Sequence, residues 1–539
     1  MAKGKGKKKR KTPVPAPSPV ALAMHDAAKK TRTASDWPAT NSSADTAILA
    51  DYGTLLARAR AAVRDDPLGA GIVDGHVRHA IGSGIRAIAN CRDLDTDEPN
   101  EPFNVRNNWL WERWARDPEA CDQEGRKTIS QMQRLAMSEY IVAGQSFTIL
   151  NYAPRADQVG LTLQMFEPEQ LDTSRAYAPL TGNQIHGGIE IDQYGKTLAY
   201  WVYTGKHPLE GSGGNSERIL AERVIHVMRP TRCRQTQGVT RLTPSLRAMY
   251  NLQAYNSYMI LRARQEACIG AVIQSDANSP AADLGGALGP AGTETTDGRG
   301  NTEFRFEPNM LWDLPAGKSA VFNTPSTPGG TYEPFVAVQS RMIAAGSGMD
   351  QPTIMRDYSG GSYASLRQGM LETWGETDVE QDIFIWIWLR RVREAFTRYA
   401  ILEGRLDAPN WDRSADDRAM YLEAVYRPPL KPWIDPANEA AAAKILLELK
   451  LTTRRELIAS RNGDWREVFQ QLADEEALAK ELKINLAAVP TVGAPSGQPH
   501  PTRATTIDEP SAAVSGPSPD AGLAARFALN PGPGTNGGG

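Results

Sequence analysis

The sequence predicts an α+β fold between two ends of low complexity. Three observations lead there. Apolar residues recur at helical spacing before residue 145 and after 243, the period drops to two between 146 and 228, and residues 1–44 and 484–539 are too poor in core-forming residues to fold. A length of 539 residues suggests roughly three or four domains at ~150 residues each. A hydrophobic content of 41% is enough for a sizeable core.

The elements follow in order. Residues 45–90 read as helical: Leu55, Leu56, Ala59 and Val63 form one stripe, Pro67 and Gly69 interrupt it, and Ile72, Val73, Val77 and Ile81 resume it. Residues 105–116, rich in Trp, and 128–143 give two more helices. Ser146–Leu150, Leu161–Phe166 and Arg223–Met228 read as strands. Ile189, Ile191, Leu198, Tyr200 and Val202 alternate around the turn Asp192-Gln193-Tyr194-Gly195, which predicts a hairpin. Thr243 and Pro244 have the chemistry of an N-cap and first helical position, opening a helix to about Ala267. A Gly/Ala/Pro-rich patch follows at 277–300, then strands at Leu311–Leu314 and Ser319–Phe322 around a turn. Residues 335–347 are a short helix. Gln351, Pro352 and the run Asp357 to Ser362 mark a loop, and 363–403 a long helix, apolar nearly all round at 383–389 and so expected to be buried there. Trp386 and Trp388 suit either core or a subunit interface, and core is the commoner use of such a run. Asp435-Pro436, Thr453-x-x-Glu456 and Asp464-x-x-Glu467 mark helix starts in a small helical unit at 436–483.

Composition and motifs exclude several functions. The longest unbroken apolar run is the seven residues Ile383 to Leu389, where a membrane span needs about 20. Cys91, Cys121, Cys233 and Cys268 are scattered without a C-x-x-C pair, so a disulfide framework or zinc ribbon is not expected. The basic start, Lys3 to Lys11, is followed by Pro13, Pro15, Pro17 and Pro19 rather than by a compact apolar segment, unlike a secretory signal. It reads as a solvated tail or, alternatively, as an arm that touches phosphates. Gly195-Lys196-Thr197 and Gly317-Lys318-Ser319 lack the earlier glycine of a phosphate loop, with Glu190 and Trp312 in its place. Asp93, Asp95 and Asp97 open like a calcium loop, but Glu98 stands where it needs Gly and Asn104 where it needs Glu. His76 and His79 lie three apart without a third ligand and read as ordinary histidines. No nucleophile elbow or triad stands out. No metal site, cofactor site or catalytic residue is therefore assigned.

Five stretches in one order resemble the lambda-type portal proteins of tailed bacteriophages. They are Leu56 to Arg60 through Asp66-Pro67-Leu68-Gly69 to Gly82-Ser83-Gly84-Ile85-Arg86; Trp114 to Pro118 with Cys121-Asp122; His226 to Pro230 leading to Gln237-Gly238-Val239; Asp357-Tyr358-Ser359 with Tyr363 to Arg367; and Pro432 to Pro436 followed by Leu451 to Arg454. The resemblance covers about 50–480. It implies a portal fold: an α/β wing (45–242), a stem helix (243–267), a small α/β clip (268–334), a second stem helix (335–348), a tunnel loop (349–362), a long wing helix with a return strand (363–435) and a helical crown (436–483). It also implies a homo-oligomeric ring of about a dozen subunits at one capsid vertex, assembled in the host cytoplasm. Double-stranded DNA would pass through it. The major capsid protein, the large terminase subunit and head-completion or tail connector proteins would be its partners. No enzyme activity, cofactor or membrane is implied.

Within that frame the candidate channel residues are Arg356, Asp357, Tyr358, Ser359, Gly360 and Gly361. The two glycines allow wide backbone freedom, and Arg356 could meet phosphates at a constriction. The alternative is an ordinary helix connection in which Arg356 and Asp357 pair with each other or across subunits. A net charge of −3 suits a conduit that must not grip DNA, although many ordinary proteins share it. An enzyme of the same assembly system, a nuclease or protease, and a monomeric adaptor or scaffold remain the competing readings.

Overall fold

The helical stripe at 45–90 resolves into three helices and a strand. The computed structural model describes residues 41–93, 96–204, 215–268, 271–275, 294–296, 302–304, 318–322, 329–432, 434–461, 463 and 465–483. The tail readings, the strand at Leu311–Leu314 and the Asp464 cap lie outside the described residues. Helices α1 (Ala44–Leu49), α2 (Tyr52–Asp65) and α3 (Pro67–Ala80) come first. The break at Pro67 is a cap: Asp66 accepts from the Leu68 amide at 2.8 Å, and Pro67 takes a first-turn position that needs no amide. Strand β1 (Arg86–Ala89) then departs from the helical expectation. It is four residues long, and it is held by antiparallel pairing to β13 (Ala424–Arg427), near the other end of the fold.

Next come α4 (Glu101–Arg116), the single turn α5 (Pro118–Cys121) and α6 (Ile129–Ala143). A capping box between Thr128 and Gln131 opens α6. Trp114 is buried and donates its indole N–H to the Leu161 carbonyl at 2.9 Å, whereas Trp109 on the same helix is exposed. The period-two region holds β2 (Gln145–Tyr152), β3 (Leu161–Phe166), β4 (Gln184–His186), β5 (Ile189–Ile191), β6 (Thr197–Val202), β7 (Glu217–Leu220) and β8 (Val224–Met228). They form an antiparallel three-stranded sheet, β3-β2-β8, and an antiparallel four-stranded sheet, β4-β5-β6-β7. Phe147, Ile149, Phe166, Tyr200, Val202 and Val224 join in one buried cluster. The hairpin read at 189–202 is β5–β6.

Helix α7 (Thr243–Cys268) contains Thr243 rather than being capped by it. The Thr243 hydroxyl donates to the Thr240 carbonyl at 2.8 Å, so its oxygen turns away from the helix amides. Four short strands follow: β9 (Ala271–Ser275), β10 (Glu294–Thr296), β11 (Thr302–Phe304) and β12 (Lys318–Phe322). Strand β12, read from Ser319 in the sequence, pairs with β9, and β10 pairs with β11. Helix α8 (Tyr332–Ser347) packs on α7, with the rings of Tyr255 and Phe335 4.7 Å apart.

Gln351 and Pro352 were expected in a loop. They open a short helix, α9 (Gln351–Met355), because proline in the first turn is compatible with helix. The long helix is α10 (Tyr363–Phe384), a π-helical turn (Ile385–Leu389) and α11 (Arg390–Leu402) in one run. Phe384, Ile385, Trp388 and Leu389 are buried, and the Trp388 indole donates to Thr148 at 3.0 Å. Burial is not complete, however: Trp386 is 58% exposed, under Arg390 and edge-on to Tyr426. The apolar run thus serves two faces, one in the core and one open. Helix α12 (Ala415–Leu422) leads to β13. Helices α13 (Pro436–Glu448), α14 (Arg454–Ser460) and α15 (Trp465–Leu482) follow. Asp435 caps α13 through the Asn438 amide, and Thr453 with Glu456 forms the expected capping box on α14. Two compact units divide the chain after Glu467. No helix among the described residues is long and apolar enough to cross a membrane.

Candidate functional site

The segment between α8 and α10 is fixed at one end and free at the other. Helix α8 ends at Gly348, which adopts φ 78°. A side chain there would strain the backbone, and its Cβ would lie 2.3 Å from the Arg241 guanidinium. Met349 is buried with its thioether against Gly75 of α3, where a Cβ would come within 2.4 Å of it. Thr373 of α10 then clasps Asp350 twice: it accepts from the Asp350 amide at 3.1 Å and donates to the Asp350 carboxylate at 2.7 Å. Thr353 and Ile354 are buried, and the Ile354 carbonyl lies against Gly71, so α9 is seated on α3.

From Met355 onward the chain turns outward, and every residue from 355 to 365 is exposed. Arg356 ends α9 in the left-handed region, φ 54°. The two glycines do not: neither Gly360 nor Gly361 has positive φ. The expected source of backbone freedom is therefore displaced to Arg356. Gly361 matters for closeness instead, since a Cβ there would sit 2.6 Å from the Leu366 side chain, while Gly360 faces open space. The Asp357 carboxylate accepts from the Ser359 amide at 3.0 Å and from the Ser359 hydroxyl at 2.6 Å. These two bonds hold its carboxyl below the usual range. Arg356 and Asp357 do not pair, and Arg356 has no ion pair or hydrogen bond among the described residues. Tyr358 is 49% exposed. Ser362 caps α10 by accepting from the Ser365 amide at 3.2 Å. The six candidates thus share one exposed turn with an unpaired guanidinium at its start.

Where α8 ends, at the fixed end of this segment, lies a partly buried charge cluster that sequence reasoning missed. His76 of α3 is fully buried, with Nδ1 2.7 Å from the Glu380 carboxylate of α10 and Nε2 3.0 Å from the Ser347 carbonyl. A carbonyl only accepts, so Nε2 carries a hydrogen toward the last turn of α8, where a positive dipole is favoured. Arg241 bonds Glu376 and lies 3.6 Å from Glu380, and Arg229 reaches Glu376 at 3.2 Å. The buried Tyr140 hydroxyl has no hydrogen-bond partner among the described residues, and burial raises its pKa. The cluster ties α3, α8, α10 and the approach to α7 at one point. Only the His76-x-x-His79 pair was visible in sequence. His79 of that pair is half-buried.

Three other ionisable side chains are engaged or buried within the fold. Glu190, which broke the phosphate-loop pattern, is buried and accepts from Arg218, Thr181, Asn183 and Trp201, and its carboxyl is lowered to about 2, chiefly by Arg218. Burial pushes the Cys91 and Cys121 thiols up to about 12, which leaves little reactive thiolate. Among the described residues no group of three or more His, Cys, Asp or Glu is arranged to hold a metal.

Residues 30–381 match the family model of the phage portal protein, lambda family. The chain belongs to that family. It is 24% identical over 473 residues to a probable portal protein of Halomonas phage phiHAP-1, covering 85% of this chain and 87% of the relative. It is 23% identical over 483 residues to portal protein B of Escherichia phage lambda, covering 81% and 86%. A chain from the neck of a native gene transfer agent particle, computed with C12 symmetry, aligns over 76% of this chain and 92% of its own length, at 13% identity and a TM-score of 0.42.

Proposed function

We propose that this portal-family chain closes with about eleven copies of itself into a ring at one capsid vertex, through which double-stranded DNA is packaged and later ejected. The carrying observation is the family match across residues 30–381. In this reading residues 45–242 are the wing and 268–334 the clip. Helices α7 and α8 make the stem, α10 with α11 is the long wing helix, and 436–483 is the crown. The large terminase subunit would dock on the clip during packaging, head-completion or tail connector proteins would replace it, and the major capsid protein would surround the wing. A cyclic ring needs two unlike complementary surfaces on each subunit.

The tunnel-loop reading narrows to 356–362, because α9 is packed and only the following turn is free to project. Repeated around an axis, this turn would bring one unpaired Arg356 per subunit toward the duplex. End-on images of the purified particle test the ring: a central hole of duplex width is expected, and a chain that stays monomeric in every assembly condition ends the reading. Arg356→Ala tests the loop. Rings should form normally, and DNA retention or packaging should change; unaltered packaging would remove Arg356 from the DNA path.

A further inference from the structure

We infer that His76 and Glu380 hold one proton between them at neutral pH and form an alkali-sensitive latch, which fixes the end of α8 against α3 and α10 and opens as that proton is lost. A count of donors carries this. His76 Nε2 faces the Ser347 carbonyl at 3.0 Å, and Nδ1 faces the Glu380 carboxylate at 2.7 Å. Carbonyls and carboxylates only accept, so each contact needs a hydrogen of its own. A neutral histidine beside an ionised glutamate has one hydrogen for the two contacts. The second therefore sits between Nδ1 and Oε2, on one atom or the other. The two side chains are 0% and 1% exposed, so bulk water does not stand in for it. Without it a ring lone pair would meet an acceptor in a site of low dielectric, where an unmade hydrogen bond is costly.

The groups around the pair come from every element packed there. Helix α10 adds Glu376 beside Glu380. The approach to α7 brings Arg241, 3.6 Å from Glu380, and Arg229, and both bond Glu376. Helix α6 contributes the Tyr140 hydroxyl, on which Glu380 acts. On α3 itself stands His79, where burial pushes the ring below the usual histidine range and Asp350 acts from the segment after α8. The two glutamates and the two arginines cancel. The extra positive charge is then met by the C-terminal end of α8, where the helix dipole is negative. What the latch holds is equally local. Ser347 is the last residue of α8, Gly348 turns the chain at φ 78°, and the exposed run begins at Met355. In the open state the ring is an ordinary histidine that releases its proton near pH 6.5. Above that pH the closed form binds one proton more than the open form, so closure weakens as pH rises. The inference needs neither ring closure nor DNA.

The test is amide hydrogen exchange of the full chain, read by mass spectrometry at pH 7 and pH 8 and corrected for the intrinsic pH dependence of exchange. Peptides spanning 343–355 should show their opening equilibrium rise roughly tenfold, the effect of one proton over one pH unit. Peptides of β2 and β3 should show no such rise. Glu380→Gln supplies the second hydrogen as a fixed amide N–H, which donates to Nδ1 of a neutral ring. Its 343–355 peptides should open more readily at pH 7, since Arg241 loses one of its acids, but should not change between the two pH values. A flat parent profile at 343–355 overturns the inference. So does an equal rise in β2 and β3, which would report a titration elsewhere, or an unaltered slope in Glu380→Gln. If that variant does not fold, the parent profile of 343–355 against β2 and β3 decides.

Discussion

Two charged regions lie nine residues apart in this chain and are built in opposite ways. At Ser347 the chain enters a cluster in which the buried His76 and Glu380 sit against half-buried Arg241, Glu376 and Arg229. At Arg356 it emerges into a turn whose guanidinium has no described partner and whose carboxylate is engaged only by Ser359. Buried charge without partners costs several kcal/mol, so the first region must be solved within the subunit. Exposed charge costs little, so the second can be left for whatever the ring brings to it. The difference separates what the fold needs from what a partner needs.

The largest effect should come from breaking the first region. Glu380→Ala leaves the buried His76 ring without its carboxylate and Arg241 with Glu376 alone, and should cost about 3 kcal/mol in urea unfolding. His76→Leu with Glu380→Leu removes both sides of the pair and should recover much of that loss. If the double variant were as unstable as Glu380→Ala, the cluster would be held by packing rather than by charge.

A third carboxylate sharpens the contrast. Glu190 is as buried as Glu380 but is fully supplied with donors. Arg218 chiefly lowers its carboxyl from the ordinary 4.5 to about 2. The unfolded chain therefore takes up the proton first. Stability from this group is present above about pH 4.5 and drains away as pH falls toward 2. Urea midpoints should drop across that window, and Glu190→Gln, less stable at neutral pH, should show a flatter profile there.

Much of the fold was legible because its signals are local. Of the stripe Leu55, Leu56, Ala59, Val63, Ile72, Val73, Val77 and Ile81, Leu55, Val63 and Val77 are half-buried and the others buried, and the Thr453–Glu456 box caps its helix. What was missed depends on distant partners. Strand β1 is too short to declare itself and exists through β13. His76 finds Glu380 on a helix far along the chain. The π-turn that divides Trp386 from Trp388 has no compositional mark, since both lie in one apolar run. At the candidate site the exposed turn was placed correctly, but its special backbone position was assigned to Gly360 and Gly361 instead of Arg356. A left-handed arginine after a helix is uncommon, whereas Gly-Gly is the usual sequence mark of such a position.

The smallest effect concerns that backbone position, and it separates function from stability at one residue. Holding a side chain in the left-handed region costs roughly 1–2 kcal/mol, while glycine gives back about 0.5–1 kcal/mol in unfolded-state entropy. Arg356→Gly should therefore raise stability by about 0.5 kcal/mol. Arg356→Ala keeps the Cβ and removes a side chain without a described partner, so its stability should stay within about 0.5 kcal/mol of the parent. Both variants lose the guanidinium, and both should impair DNA retention equally if the charge is what matters. If only Arg356→Gly impaired retention, the rigidity of the turn, and not its cation, would be the property the channel uses.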